Sequence, residues 1–317
     1  MGLGWFGAPE HTRWLAAETH ALLAYARAAR VPSGFGWIGQ DGVVDRDHPV
    51  ELWITGRMTF AFSLGALLGI PGCRRYADHG VRALRTAMRD TDHGGWYSAV
   101  GHQVDASGCA TPVDPLARKE CYQHAFVMLA AATAAAADRP GATELLGDVI
   151  EVVNRYWWDE AHGMPVESYA ADFTDPEDYR GINAAMHTVE AYLAVADVTG
   201  DTLWLRRALR MVDFAVNRQA RAHDWRLPEH YTPAWRPRLD YNEDAPAHPF
   251  RPYGATPGHG LEWARLTVQA RAGLIGRGMS APDWMLPAAE ELFERARTDA
   301  WRVDGGPGFV YTTDFDG

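Results

Sequence analysis

The chain has 317 residues, 47% hydrophobic and 22% charged, the balance of an ordinary soluble globular protein. Its formal net charge of −11 argues against nucleic acid or an anionic membrane surface as partner. Three cysteines (Cys73, Cys109, Cys121) without CxxC spacing indicate neither a disulfide framework nor a zinc site and suit a reducing cytoplasm; no run of 18 apolar residues occurs, and neither a signal peptide nor a membrane span is expected.

The 3.6-residue period predicts helices over 9–30, 49–69, 72–89, 118–137, 141–158, 182–199, 201–221, 257–275 and 282–301. Short strand-like segments fall between alternate helices: 95–98, Met164 to Tyr169, Arg226 to Tyr231 and Gly308 to Tyr311. Two of them end in Glu-x-Tyr, and several follow a Trp/Asp-rich helix exit such as Trp157-Trp158-Asp159. This is an internal repeat of helix, helix, hairpin. No Ser/Gly linker or charge block divides it, so a single domain over 1–317 is expected. The fold class is all-α, a toroid of helix hairpins with short β-hairpins at one rim. The 13 tryptophans and 12 tyrosines cluster in Gly-containing connections such as Gly34-Phe35-Gly36-Trp37 and Gly94-Gly95-Trp96-Tyr97. There they serve either as a carbohydrate-stacking surface or as plugs for helix ends.

The even-numbered helices open with polar, chemically able residues in otherwise apolar sequence. Trp53 and Arg57 begin the second, Tyr122 and His124 the fourth, Asn183 and His187 the sixth, His259 and Glu262 the eighth. The odd helices read as amphipathic outer helices, so the even ones are expected to form an inner ring with those residues at one mouth. Thr256-Pro257 is a helix start with Thr256 as N-cap, which puts His259 in the first turn. The helix dipole there disfavours added positive charge and predicts a neutral imidazole, fit to take a proton. Glu262, three residues on, faces the same way and is placed to orient the ring. The same residues also fit a capped helix whose His and Glu are merely solvated.

Asn183, His187 and Glu190 form one stripe down the sixth helix. With His259, Glu262 and Arg57 they make a set suited to proton transfer beside a carbonyl, Arg57 steadying a hydroxyl, an anion or a developing oxyanion. Two rival readings share these residues. His187, Glu190, His259 and Glu262 are each able to ligate a metal, although no HExxH is present. Glu167, Glu229 and Glu262 are carboxylate candidates for a glycoside hydrolase, without decisive spacing.

Longer stretches carry a family resemblance: Pro32 to Trp37, Leu52 to Met58, Gly94 to Tyr97, Tyr122-Gln123-His124, Asp178 to Gly181 with Asn183, His187 and Val189-Glu190-Ala191. It continues through Asp240-Tyr241-Asn242, Pro246-Ala247-His248 and Thr256 to His259 with Glu262-Trp263. The chain resembles the N-acylglucosamine 2-epimerase superfamily, in its mannose isomerase and sulfoquinovose isomerase branch, from about residue 12 to the end. The resemblance implies an (α/α)6 barrel of twelve helices and cofactor-free, metal-free aldose–ketose isomerisation of D-mannose or a close relative through ring opening and a cis-enediol. It assigns ring opening and proton relay to His259, with Glu262 beside it, and lines the sugar pocket with Trp53, Arg57, Tyr122, Asn183 and His187. The partner is a monosaccharide; homo-oligomerisation stays open.

Three departures accompany it. Gly108 to Leu116 reads as an insertion at the rim before Tyr122. Pro249 stands where the sulfoquinovose branch carries a substrate-side arginine after the residue matching His248, with Arg251 as candidate substitute. Nine predicted helices stand against twelve, and the second histidine of the implied mechanism would lie beyond Gly317. The sequence thus leaves an isomerase, a sulfoquinovose isomerase or 2-epimerase, and a sugar-binding remnant without turnover all in view, and expects apolar flanks exposed on the first and ninth helices.

Overall fold

A computed structural model describes residues 5–316. The chain packs as two compact units that alternate along the sequence. One is the chain up to Ala117 together with Leu129–Ile150; the other is Arg118–Met128 and everything from Glu151.

The first unit holds α1 (Pro9–Ala26), α2 (Leu52–Leu67) and α3 (Cys73–Arg85), the later part of α4 (Cys121–Ala136), and nearly all of α5 (Ala142–Val152). The strands β1 (Arg30–Val31) and β2 (Gly34–Phe35) pair as a tight hairpin, and β3 (Val50–Glu51), β4 (Ala99–Val104) and β5 (Ala110–Pro112) form an antiparallel sheet. The suspected insertion is therefore the second arm of a hairpin, β4–β5, and the strand expected over 95–98 begins at Ala99 instead. Trp96 is wholly buried, its indole N–H donating to Leu84 O, and it plugs the exit of α3.

α2 is apolar on nearly all sides although Arg57, Leu64 and Leu67 are exposed, whereas α3 turns one apolar face inward. Their close crossing depends on small residues. A Cβ on Gly80 would overlap the Thr59 hydroxyl and come within 2.8 Å of Thr59 Cβ, and one on Gly65 would stand 2.6 Å from Cys73 Sγ. Phe35, Phe62, Tyr76 and Leu23 fill the core beside this crossing. On α1, Trp14, Leu15, Leu22 and Tyr25 remain exposed.

The second unit contains the start of α4, then α6 (Ile182–Thr199), α7 (Thr202–Val212), α8 (Pro257–Ile275) and α9 (Met285–Ala300). α6 packs on α7 and α8 on α9, with α6 and α8 also in contact. Both α5 and α7 continue into π-turns, Val153–Trp157 and Asp213–Ala220, which is why their periodicity runs on to 158 and 221. Gly200, left-handed at φ 72°, ends α6, and Asp201 caps α7 by accepting from Leu203 N at 2.8 Å. α9 leaves Leu286 and Phe293 exposed. Short antiparallel pairs link β6 (Lys119–Glu120) with β9 (Ser168–Tyr169), β7 (Trp158–Asp159) with β8 (Met164–Pro165), and β10 (Arg180–Gly181) with β11 (His230–Tyr231).

One device repeats along the chain: the first N–H of an even helix donates to a hairpin carbonyl. Leu52 N reaches Ser98 O (2.9 Å), Cys121 N reaches Glu167 O (2.9 Å) and Ile182 N reaches Glu229 O (3.0 Å). The hairpins are thereby tied to the N-termini of the even helices, where unpaired N–H groups need acceptors. A second repeated device is an Asp-x-x-His turn, with Asp45 holding His48, Asp90 holding His93 and Asp159 holding His162.

Candidate active site

In the second unit, the eighth helix starts as its sequence suggests, with Pro257 in the first turn, but Thr256 caps it with no side-chain hydrogen bond. The acceptor comes from elsewhere. Glu229, 4% exposed at the edge of β11, takes the Thr256 N–H through Oε1 at 3.2 Å, putting a carboxylate at the positive end of the helix. The same carboxylate holds the His259 ring, whose Nδ1 lies 2.8 Å from Oε2 and 3.0 Å from Oε1. A carboxylate only accepts, so Nδ1 carries the proton and Nε2 is the nitrogen left for chemistry.

This arrangement corrects two expectations. Glu229, not Glu262, orients the ring. Nor does the helix dipole leave the imidazole disposed to neutrality: burial pushes its pKa down, but the charge and hydrogen bond of Glu229, with the charge of Glu262 behind them, outweigh burial and raise it. Glu262 acts on His259 through its charge, from a half-buried position one turn along.

The sixth helix is pinned in parallel. Its stripe forms as spaced, with buried His187 placing Nδ1 3.3 Å from Glu190 Oε2. Glu190 Oε1 in turn accepts from Arg265 of α8 at 2.9 Å. Burial pushes the Glu190 carboxyl up, yet the His187 hydrogen bond and the charges of His187 and Arg265 hold it below the ordinary carboxylate range. Tyr122 stands edge-on to the His187 ring with centroids 5.4 Å apart, and Phe250 comes edge-on to Tyr122 at 6.5 Å. The Asn183 amide, half-buried in the first turn of α6, makes no hydrogen bond among the described residues and is open to a ligand. His124 Nδ1 donates to Glu120 O (2.8 Å) and the ring packs on Trp157, which makes it part of the α4 base.

A loop from Asp240 to Gly254 borders these residues. Arg251 forms a two-pronged pair with Glu177 (2.8 and 3.1 Å) and lies 4.0 Å over the Tyr179 ring. Its charge is thus matched within the protein by Glu177. Below it, His230 Nε2 donates to Pro252 O at 2.6 Å, so Nδ1 accepts the Tyr179 hydroxyl at 2.7 Å. Burial lowers the His230 pKa, as this neutral tautomer requires.

Trp53 and Arg57 stand in the first unit. Arg57 is exposed and its guanidinium lies 5.6 Å over the Trp53 ring, a cation–π contact. Trp53 meets Trp37 edge-on at 5.9 Å, and Trp37 donates its indole N–H to Glu51 at 2.8 Å.

Among the described residues no three His, Cys, Asp or Glu side chains converge as a metal-ligand set. Of the four considered above as ligands, His187 is paired with Glu190, while His259 is held by Glu229 rather than by Glu262.

The N-acylglucosamine 2-epimerase (GlcNAc 2-epimerase) family profile matches residues 34–317. The chain belongs to this family. It is 48% identical over 313 residues to D-mannose isomerase of Thermobifida fusca, covering 98% of this chain and 74% of that protein. It is 43% identical to D-mannose isomerase of Pseudomonas cannabina pv. alisalensis, covering 98% of this chain and 73% of that one. A crystal structure of D-mannose isomerase superposes with a TM-score of 0.85 at 29% identity, over 98% of this chain and 76% of its own. The architecture is accordingly the all-α, (α/α)-barrel type, and the protein is an enzyme of the sugar isomerase and epimerase class. No helix among the described residues is long and apolar enough to cross a membrane.

Glu229, which holds the His259 ring here, is a residue that sequence reading placed only among the glycoside hydrolase candidates. Its signal was present as the repeated Glu-x-Tyr, in Glu167-Ser168-Tyr169 and Glu229-His230-Tyr231. In the fold that repeat means a carbonyl for one helix start and a carboxylate for the next.

Proposed function

We propose that the protein interconverts D-mannose, or a close relative, with D-fructose by opening the pyranose ring and moving a proton between C2 and C1 through a cis-enediol. The observation that carries this reading is the His259–Glu229 pair. A ring fixed at Nδ1 by a buried carboxylate presents Nε2 as a proton carrier, and the pair stabilises the imidazolium formed when Nε2 takes the proton. Ring opening needs such a group to move a proton between the anomeric hydroxyl and the ring oxygen. Glu262 adds negative charge behind the ring. Asn183, Tyr122 and His187 offer an amide, a ring edge and an imidazole to the sugar.

Two features favour a neutral sugar over a sulfonated one: Pro249 supplies no cation, and Arg251 is already paired with Glu177. The three free thiols suit a cytoplasmic setting. The deciding experiment runs the purified protein on D-mannose in D2O. Isomerisation gives D-fructose deuterated at C1, a 2-epimerase gives D-glucose deuterated at C2, and a sugar-binding remnant gives neither. H259A is expected to lower turnover by about 10²–10⁴-fold, and full activity in that variant sinks the assignment.

A further inference from the structure

Glu167 and Glu229 hold equivalent places in successive repeats. Glu167 O takes the first N–H of α4, from Cys121 (2.9 Å), and its Oε2 takes the N–H of Gly181, just ahead of α6 (2.8 Å). Glu229 O takes the first N–H of α6, from Ile182 (3.0 Å), and its Oε1 takes the N–H of Thr256, just ahead of α8 (3.2 Å). They differ in what comes next. Three residues past Thr256 is His259, which engages both Glu229 oxygens; three residues past Gly181 is Ala184, which offers nothing. Among the described residues Oε1 of Glu167 therefore has no hydrogen-bond partner, and it is not one of the polar atoms sealed from solvent.

The place adjoins the starts of α4 and α6. Tyr122 follows Cys121 and Asn183 follows Ile182, so the two helix starts that bracket Glu167 are the two that present sugar-binding candidates. The charged and titratable groups facing it are Glu120 and Cys121 at the start of α4, Glu177 and Tyr179 ahead of β10, and Arg251. Burial first, then the charges of Glu177 and Glu120, push its carboxyl up to about 8, against the opposing pull of the Gly181 N–H and Arg251. At neutral pH the group carries a proton, and with Oε2 accepting from Gly181 the natural seat for it is Oε1.

We propose that Glu167 is a substrate-binding residue, a neutral carboxylic acid whose Oε1–H donates a hydrogen bond to a hydroxyl of the bound sugar. This rests on the sugar isomerase reading above. Ionisation removes the only donor the side chain has and sets a negative charge against the sugar oxygen.

The test is D-mannose titration of wild type, E167Q and E167A by tryptophan fluorescence at pH 7 and pH 9.5, with thermal melts confirming that each variant folds. The E167Q amide can accept from Gly181 and still donate at both pH values. Wild-type affinity should fall about tenfold more than that of E167Q between the two pH values, and E167A should bind about tenfold more weakly than wild type at pH 7. His259 is common to all three proteins, so its titration cancels in the comparison. In the unliganded protein, the Gly181 amide resonance should follow pH with a midpoint near 8 in wild type and lose that step in E167Q. A midpoint in the ordinary carboxylate range overturns the proposal, as does equal alkaline weakening in E167Q. Wild type that binds D-mannose while E167A binds equally well defeats this proposal alone. Wild type that binds no D-mannose defeats the isomerase reading with it.

Discussion

Glu229→Gln is the most informative single change to the site. It keeps the side chain's shape and one acceptor for the His259 Nδ1–H, and removes the charge together with the second accepting oxygen. In the structure that carboxylate is 4% exposed and sits 2.8 and 3.0 Å from Nδ1 and 3.2 Å from the Thr256 N–H. Hydrogen bonds to a charged group are worth about 1.5–3 kcal/mol against about 1 kcal/mol for neutral ones. The variant therefore loses about 1–2 kcal/mol of support for the protonated ring, or about 5–30-fold in a step that protonates it. Mannose–fructose turnover between pH 5.5 and 9 is expected to show that loss in kcat, with KM within about threefold because Glu229 touches His259 rather than the sugar. In a His259→Ala background E229Q should cost nothing further, since the carboxylate then has no ring to act on. An undiminished kcat, or a full additional loss in the double variant, refutes the reasoning. Stability gives an independent readout. The folded-state pKa of His259 is raised, so its contribution is complete below the unfolded value near 6.5 and is lost as pH rises through the folded value. The gap in unfolding free energy between wild type and E229Q should thus be widest below about pH 6.5 and narrow as pH rises through the folded value.

Other substitutions probe the rest of the structure. G80A forces a methyl group into Thr59 and should destabilise by about 1–3 kcal/mol in urea unfolding, part of it recovered by adding Thr59→Ala; no loss would mean that the α2–α3 crossing is looser than described. E177Q should cost about 1–2 kcal/mol, because its carboxylate binds Arg251 and Ser168 in a partly buried setting. Burial raises the Glu177 pKa, but Arg251 and Ser168 hold it below its ordinary value, so this stabilisation is present above about pH 4.5 and lost as pH falls through the folded value. The same variant releases the Arg251 charge and should strengthen inhibition by a sulfonated hexose; unchanged inhibition would count against the neutral-sugar argument. Turnover should survive dialysis against EDTA, since the candidate donors are engaged with one another, and a loss restored by a divalent cation would reopen the metal reading.

Much of this molecule was legible in the chain. Apolar residues spaced for a 3.6-residue turn are a local property, and they located α1 to α9 to within a few residues, the π-turns after α5 and α7 included. Thr256-Pro257 marked a helix boundary through its own backbone preferences, and the His187–Glu190 contact followed from their spacing on one helix. Family membership was legible too, because its motifs are contiguous stretches of sequence. What lay outside sequence reach depends on segments far apart in the chain. The partner of His259 was misjudged because the local helix start offers only a dipole, while Glu229, whose charge and hydrogen bond raise the ring's pKa, arrives from thirty residues upstream by way of a hairpin. Arg251 read as an available cation until Glu177, seventy-four residues away, was found against it. Local sequence set which residues stand at the helix mouths; only tertiary packing decided which of them are paired, and hence which carry charge and which are left to meet a sugar.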